Sequence, residues 1–322
     1  METPAQPTKV AILDDYQHVA LSMADWSAVQ ARAQVTVFSD TVANLDRLVE
    51  RLLPFDVLCV MRERTPLPRA VIERLPRLKL IVSTGPKNAS IDQDAAKERG
   101  IKVENTRGSL VAPMELTWGL ILAAMRAIPS EGASLRHGGW QRSVGWELAG
   151  KTLGVLGLGR IGGKVAKVAE AFDMKVITWS TRLDKDEAAK AGAEPVSREA
   201  FFRQADIISV HLVLVDATRG LVGAPELALM KPTAWLVNTS RGPIVDEDAL
   251  VDALRARRIA GAALDVFDTE PLPAGHPFRS LDNVLATPHL GYVSRDQYAV
   301  FYGDTVEHVA AWLDAQASSA AA

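Results

Sequence analysis

Short apolar runs alternate with amphipathic helical stretches along almost the whole chain, and that alternation leaves few folds open. The first series is Val10-Ala11-Ile12-Leu13, Val35-Thr36-Val37-Phe38, Val57-Leu58-Cys59-Val60, Leu78-Lys79-Leu80-Ile81-Val82 and Ile101-Lys102-Val103. The second is Leu153-Gly154-Val155-Leu156, Val176-Ile177-Thr178-Trp179, Ile207-Ile208-Ser209-Val210, Trp235-Leu236-Val237, Ala262-Ala263-Leu264 and Val284-Leu285-Ala286. Runs this apolar suit strands covered on both faces, and strands separated by helices pair in parallel. The expected fold class is therefore α/β, with two parallel-sheet βα domains. The first series ends near Asn105 and has no glycine-rich phosphate loop. The second matches a doubly wound dinucleotide-binding domain. Leu116 to Ile128 reads as a buried helix bridging the two, and Tyr298 to Leu313 as a last helix returning to the first domain. The cleft between the domains is the expected ligand site.

Composition excludes several classes. At 322 residues and 48% hydrophobic, the chain is long enough for two domains with a substantial core. A net charge of -3 leaves no basic excess, so nucleic acid is a poor partner. The one cysteine, Cys59, sits in a strand-like run and reads as a small buried hydrophobe. A single cysteine makes neither a disulfide framework nor a Cys-based zinc site, and no metal site is expected. Met1 to Thr8 lacks the apolar core of a signal peptide, and no apolar run reaches the roughly 18 residues of a membrane span. The expectation is a cytoplasmic protein with no membrane contact.

The most informative motif is Gly157-Leu158-Gly159-Arg160-Ile161-Gly162, which follows the strand-like Leu153 to Leu156 and opens a helix from Ile161 to Ala171. That context turns the pattern into a dinucleotide site. Gly157 allows the tight turn, Gly159 lets the backbone approach a pyrophosphate, and Gly162 lets helix and strand pack closely. NAD sites usually carry an Asp or Glu about 20 residues on, at the end of the second strand. Here the chain reads Thr178-Trp179-Ser180-Thr181-Arg182, with no carboxylate. Hydroxyls plus a cation attract a 2′-phosphate where a carboxylate would repel it. The expected cofactor is NAD(P), leaning to NADP, with Ser180 and Arg182 at the 2′-phosphate. The other reading makes Arg182 a solvated residue at a helix start and the cofactor NAD.

Three polar motifs follow later strands: Asn238-Thr239-Ser240-Arg241-Gly242, Asp265-Val266-Phe267-Asp268-Thr269-Glu270-Pro271, and Thr287-Pro288-His289-Leu290-Gly291. Parallel sheets place ligands at the carboxyl ends of their strands, so Arg241, Glu270 and His289 are expected to meet over a bound dinucleotide. A guanidinium fork suits a 2-keto carboxylate, because it can bind the carboxylate and polarise the keto oxygen. An imidazole can give a proton to that oxygen during reduction and take it back during oxidation. A carboxylate beside an imidazole favours the imidazolium and fixes its tautomer, so Glu270 and His289 together are equipped to supply a proton near neutral pH. Asp265 is expected to accept a hydrogen bond from the nicotinamide carboxamide, or else to cap the strand end.

On these residues the chain resembles the D-isomer-specific 2-hydroxyacid dehydrogenases, from Lys9 to about Leu313. The resemblance implies a flavodoxin-like substrate domain built from both chain ends, residues 1–107 plus 292–322, around an inserted Rossmann-type domain, residues 108–291. It implies Arg241, Glu270 and His289 as the catalytic set, with cofactor contacts extending to Arg160, Ile161, His211, Thr239 and Gly291. It also implies a homodimer and reversible reduction of a small 2-keto acid to a D-2-hydroxy acid, as in glyoxylate or hydroxypyruvate reductases. Trp140 resembles part of the family's dimer arm, or is an ordinary packed aromatic. The family's first-domain glycine loop reads Ser83-Thr84-Gly85-Pro86-Lys87-Asn88-Ala89-Ser90-Ile91-Asp92 here. Its second expected glycine is missing. Gly85 is kept, and Lys87 and Asn88 either add side-chain contacts to the substrate or face solvent. Related formate dehydrogenases pair the catalytic His with Gln, and Glu270 argues against that activity. A phosphoglycerate dehydrogenase-like enzyme is one alternative. A non-catalytic, dinucleotide-sensing, corepressor-like binding protein is another, and the lack of basic segments favours the enzyme.

Overall fold

The computed structural model describes residues 7–180 and 185–321. The chain forms two compact units, Met1–Ser109 with Ser294–Ala322, and Leu110–Val293. In the first unit, strands β1 (Thr8–Ile12), β2 (Ala33–Val37), β3 (Val57–Val60), β4 (Leu80–Ser83) and β5 (Lys102–Asn105) form one parallel sheet ordered β2-β1-β3-β4-β5. That is the flavodoxin-like order, with its switch point between β1 and β3. Val10, Ala11, Val57, Leu58, Leu80 and Ile81 are wholly buried, which is why these strands read as continuous apolar runs. Cys59 lies among them, and burial pushes its thiol pKa up. The helix Arg295–Ala321 belongs to this unit and buries Tyr298, Phe301, Tyr302 and Val309. Arg107 anchors it, donating from its backbone and its guanidinium to Asp304 at 2.8 and 2.6 Å.

In the second unit, β6 (Thr152–Leu156), β7 (Lys175–Trp179), β8 (Glu194–Pro195), β9 (Ile207–Val210), β10 (Trp235–Asn238), β11 (Gly261–Leu264) and β12 (Val284–Ala286) form a parallel sheet ordered β12-β11-β10-β9-β6-β7-β8. Order reverses between β6 and β9, as in doubly wound dinucleotide domains. The two-residue β8 escapes sequence reading because it is too short, and too polar, to show a period. The helix expected over Leu116 to Ile128 runs Val111–Met125 and lies wholly in this unit. It buries Trp118, Leu120, Ile121 and Met125 among Leu153, Val155 and Val165. Ala127, in the left-handed region, and Pro129 start a separate helix, Ile128–Arg136, bent from the first by 62°. Among the described residues no single helix is long and apolar enough to cross a membrane.

Candidate active site

Strand register decides where the polar motifs emerge. Trp179 pairs with Leu156, Leu156 with Val210, Val210 with Asn238, Asn238 with Leu264 and Leu264 with Ala286. These residues form one row at the carboxyl edge of the second sheet. Ser180, Gly157, His211, Thr239, Asp265 and Thr287 therefore leave the sheet at the same level.

The glycine loop sits at the switch point. Gly157 has φ +94 and faces Leu212, which a Cβ would meet at 2.7 Å. A Cβ on Gly162 would fall 2.2 Å from Gly157 O, so the helix Arg160–Glu170 packs directly on the turn. Gly159 differs: a Cβ there would meet nothing within 4 Å. No side chain caps this helix, and its first turn carries no acidic residue. An open glycine beside an uncapped helix N-terminus fits a pyrophosphate, whose charge the helix dipole and amides favour. Arg160 is exposed and Ile161 half-buried at the rim of this turn. His211 packs beside it, with Cβ 3.2 Å from where a Gly162 Cβ would be. Its Nε2 bonds Ser209 Oγ at 2.8 Å, and burial lowers its pKa to about 4, so the ring is neutral. At the end of β7, Thr178 is buried and donates to Val155 O, and Ser180 is half-buried. Arg182 lies outside the described residues.

The loop after β10 is held from within. Asn238 Nδ2 donates to Arg241 O at 3.0 Å and its Oδ1 accepts from Ser240 N at 3.0 Å. Thr239 Oγ1 lies 2.8 Å from Thr117 Oγ1. The Arg241 guanidinium donates to Ser240 O at 2.7 Å and is half-buried. Asp265, with no exposed surface, accepts at Oδ1 from Thr287 Oγ1 (2.6 Å) and Leu290 N (2.7 Å), and at Oδ2 from Gly291 N (2.8 Å). Burial raises its pKa, against these donors and the nearby His289. Both its oxygens thus hold the Thr287–Gly291 loop, a positioning role that the sequence reading did not include. That loop carries His289 at φ +53.

His289 Nδ1 lies 2.5 Å from Glu270 Oε2, and Glu270 Oε1 accepts from Phe267 N at 2.9 Å. Burial alone would raise the Glu270 pKa. The hydrogen bond and charge of His289, the Phe267 amide and the Arg241 charge outweigh it and hold the carboxyl below its ordinary range. Glu270 is then a carboxylate that only accepts, so Nδ1 of His289 donates and Nε2 is left for chemistry. The geometry joins a proton donor, its fixed counter-charge and a cation on neighbouring loops of one sheet edge.

In the first unit, the loop after β4 is also tightly held. Gly85 is buried with φ +84, and its N–H donates to Thr106 Oγ1 at 2.7 Å. The Arg62 guanidinium lies against it and donates to Thr84 O and Lys87 O at 3.2 and 3.3 Å. Asn88 is buried: Nδ2 donates to Arg62 O and Ser83 Oγ, and Oδ1 accepts from Ser90 N and Oγ. Its amide is engaged as a loop clamp, whereas Lys87 is exposed.

Residues 118–291 match the family model described as D-isomer specific 2-hydroxyacid dehydrogenase, NAD binding domain. The chain is 45% identical over 250 residues to a D-3-phosphoglycerate dehydrogenase of Methanocaldococcus jannaschii, covering 76% of this chain and 47% of the relative. It is 45% identical over 236 residues to a glyoxylate reductase of Aeropyrum pernix, covering 70% of each. The chain thus spans about half the length of the first relative. A phosphoglycerate oxidoreductase from Vibrio cholerae, at 40% identity and TM-score 0.91, is matched over 96% of this chain and 99% of that one. The fold, the dinucleotide cradle and the row of loops have the same explanation as these similarities: the chain belongs to the D-isomer-specific 2-hydroxyacid dehydrogenase family, with an NAD-binding domain in its second unit.

Proposed function

We propose that the protein is a reductase of a small 2-keto acid, forming the D-2-hydroxy acid, and that it prefers NADP. The observation that carries the reading is the 2.5 Å Glu270–His289 pair beside Arg241, level with a glycine turn open at Gly159. Gly157, Gly159, Gly162 and the first turn of the helix Arg160–Glu170 hold the dinucleotide phosphates. The bound dinucleotide supplies the hydride. Arg241 takes the substrate carboxylate and polarises its keto oxygen. His289 delivers a proton from Nε2, while Glu270 stays ionised and keeps the ring oriented. The relatives' names make glyoxylate and the keto acid corresponding to 3-phosphoglycerate the first candidates for the substrate.

NADP preference rests on the end of β7, where Trp179 and Ser180 stand in place of a carboxylate. Ser180 and Arg182 are the proposed 2′-phosphate contacts. A homodimer is proposed as well. Ile128, Leu135, Trp140, Val144 and Trp146 are exposed within one short segment, Trp140 to 75% and Val144 to 98%. Apolar surface this concentrated favours burial against a second copy. The test follows absorbance loss of NADPH and NADH across glyoxylate, hydroxypyruvate, pyruvate, phenylpyruvate and 3-phosphohydroxypyruvate. Turnover is expected with at least one acid and to fall by about 10²–10⁴-fold in His289→Ala. Dinucleotide binding without turnover on any of these five acids would favour the binding-protein reading or a substrate outside this set. Equal or better efficiency with NADH would refute NADP preference.

A further inference from the structure

A second histidine–glutamate pair braces the loop that carries Glu270. The centre of this arrangement is the Phe267–Asp268 peptide. Phe267 N–H donates to Glu270 Oε1 at 2.9 Å, and the next amide, Asp268 N–H, donates to Glu247 Oε2 at 3.2 Å. The other oxygen, Glu247 Oε1, lies 3.0 Å from His276 Nε2. A neighbour settles the direction of that bond. Phe278 N–H donates to His276 Nδ1 at 3.2 Å, so Nδ1 is the lone-pair nitrogen and the ring proton sits on Nε2. Both side chains are mostly buried, 15% exposed for His276 and 21% for Glu247. Around them, Phe278 packs on Phe267 with ring centroids 6.2 Å apart, and Arg279 donates to Leu272 O and Pro273 O at 2.6 and 2.9 Å. Gly242, next to Arg241, presses on the same Phe267–Asp268 peptide.

We propose that Glu247 and His276 are positioning residues for the proton-transfer pair: they lock the Phe267–Asp268 peptide so that Glu270 presents Oε2 to His289. His276 fixes the Glu247 carboxylate, and Glu247 fixes the Asp268 amide. That anchors the backbone of Phe267, whose own N–H lies one peptide earlier and bonds Glu270. The Phe267 N–H holds one Glu270 oxygen, which leaves only the other for the imidazole. Neither residue touches the reacting atoms. The proposal rests on the reading of Glu270 and His289 as the acid/base pair. Sequence reading passes over both residues, because Asp246-Glu247-Asp248 looks like an acidic first helical turn and His276 like a loop residue. Their contact spans 29 positions.

The test uses the full chain with Glu247→Ala, His276→Leu and His276→Gln. The first readout needs no turnover. It is the far-downfield proton resonance of the His289 imidazole bonded to Glu270, in protein without dinucleotide, assigned by its loss in His289→Ala. The second is the split between kcat and the KM for dinucleotide. Glu247→Ala and His276→Leu are expected to broaden or abolish the resonance. They should lower kcat by about 10- to 10²-fold, the scale of a misplaced catalytic group, with the dinucleotide KM changed less than about twofold. His276→Gln keeps an N–H near the Nε2 position and is expected to restore both. A sharp, unshifted resonance in Glu247→Ala and His276→Leu would overturn the proposal. So would a parallel loss of kcat, dinucleotide affinity and melting temperature, the mark of a merely structural role. If Glu247→Ala fails to fold, the two His276 variants decide alone. Lack of turnover in the wild type would instead defeat the acid/base reading and leave the resonance to judge the brace.

Discussion

Gly242→Ala perturbs the contact between the Arg241 loop and the Glu270 loop, and its size can be worked from the structure. A Cβ on Gly242 would lie 2.1 Å from Phe267 C, 2.3 Å from Phe267 O and 2.5 Å from Asp268 N, where ordinary contact begins at 3.4 Å. All three atoms are backbone, so no side chain can swing aside. The loops must part by on the order of 1 Å, and a shift of that size at a catalytic group costs about 10²-fold in rate. Overpacking of this kind also destabilises by about 1–3 kcal/mol, or roughly 2–12 °C in melting temperature for a domain this large. The assay compares kcat, dinucleotide affinity and melting temperature for Gly242→Ala and for Gly119→Ala. Gly119 is a fair control, because a Cβ there meets nothing within 4 Å inside the helix Val111–Met125, away from the glycine turn. The expected result is a large kcat loss and lower melting temperature for Gly242→Ala only, with dinucleotide affinity kept. A Gly242→Ala protein within twofold of wild-type kcat, at unchanged melting temperature, would refute the view that the two loops meet rigidly.

Two further outcomes are expected. The Glu270 carboxyl titrates below its ordinary 4.5 in the folded protein, so its stabilising effect is fully present above that pH and is lost as pH falls through the lower, folded value. The difference in urea midpoint between wild type and Glu270→Gln should therefore hold steady above pH 4.5 and shrink below it; a difference that grows on acidification would contradict the assigned sign. Lys87, exposed in the Gly85 loop, is proposed to reach the keto acid, so Lys87→Ala should raise its KM with little change in kcat. Steady-state kinetics with an unchanged KM would remove Lys87 from the substrate contacts.

Much of the architecture is legible in the sequence. The apolar runs expected as strands coincide with β1–β7 and β9–β12 to within about two residues, and the signal is unbroken where both faces are buried, as in β3, β4, β9 and β11. The glycine turn was equally legible, since its three positions have separate steric duties. Helix boundaries were less so: the helix expected over Leu116 to Ile128 starts at Val111 and stops at Met125, before the left-handed Ala127. Arg241, Glu270 and His289 stood out because each follows a strand end in a short polar motif. What those motifs could not reveal is which polar atoms the protein already engages. Asp265 turns both its oxygens to the Thr287–Gly291 loop, and the Asn88 amide clamps its own loop at Ser90 to Arg62 and Ser83.

The amino-acid order alone determined the α/β class, the place of the dinucleotide turn and the residues proposed to carry the chemistry. These are local properties: periodicity, turn chemistry and side-chain type act over a few residues. Strand order, the level row from Trp179 to Ala286, and the choice of hydrogen-bond partners came only from the tertiary structure. Asp265 meets Thr287 22 positions away and Glu247 meets His276 29 positions away. No local pattern encodes such pairings, because they follow from register and from the burial that forces each polar atom to find a partner.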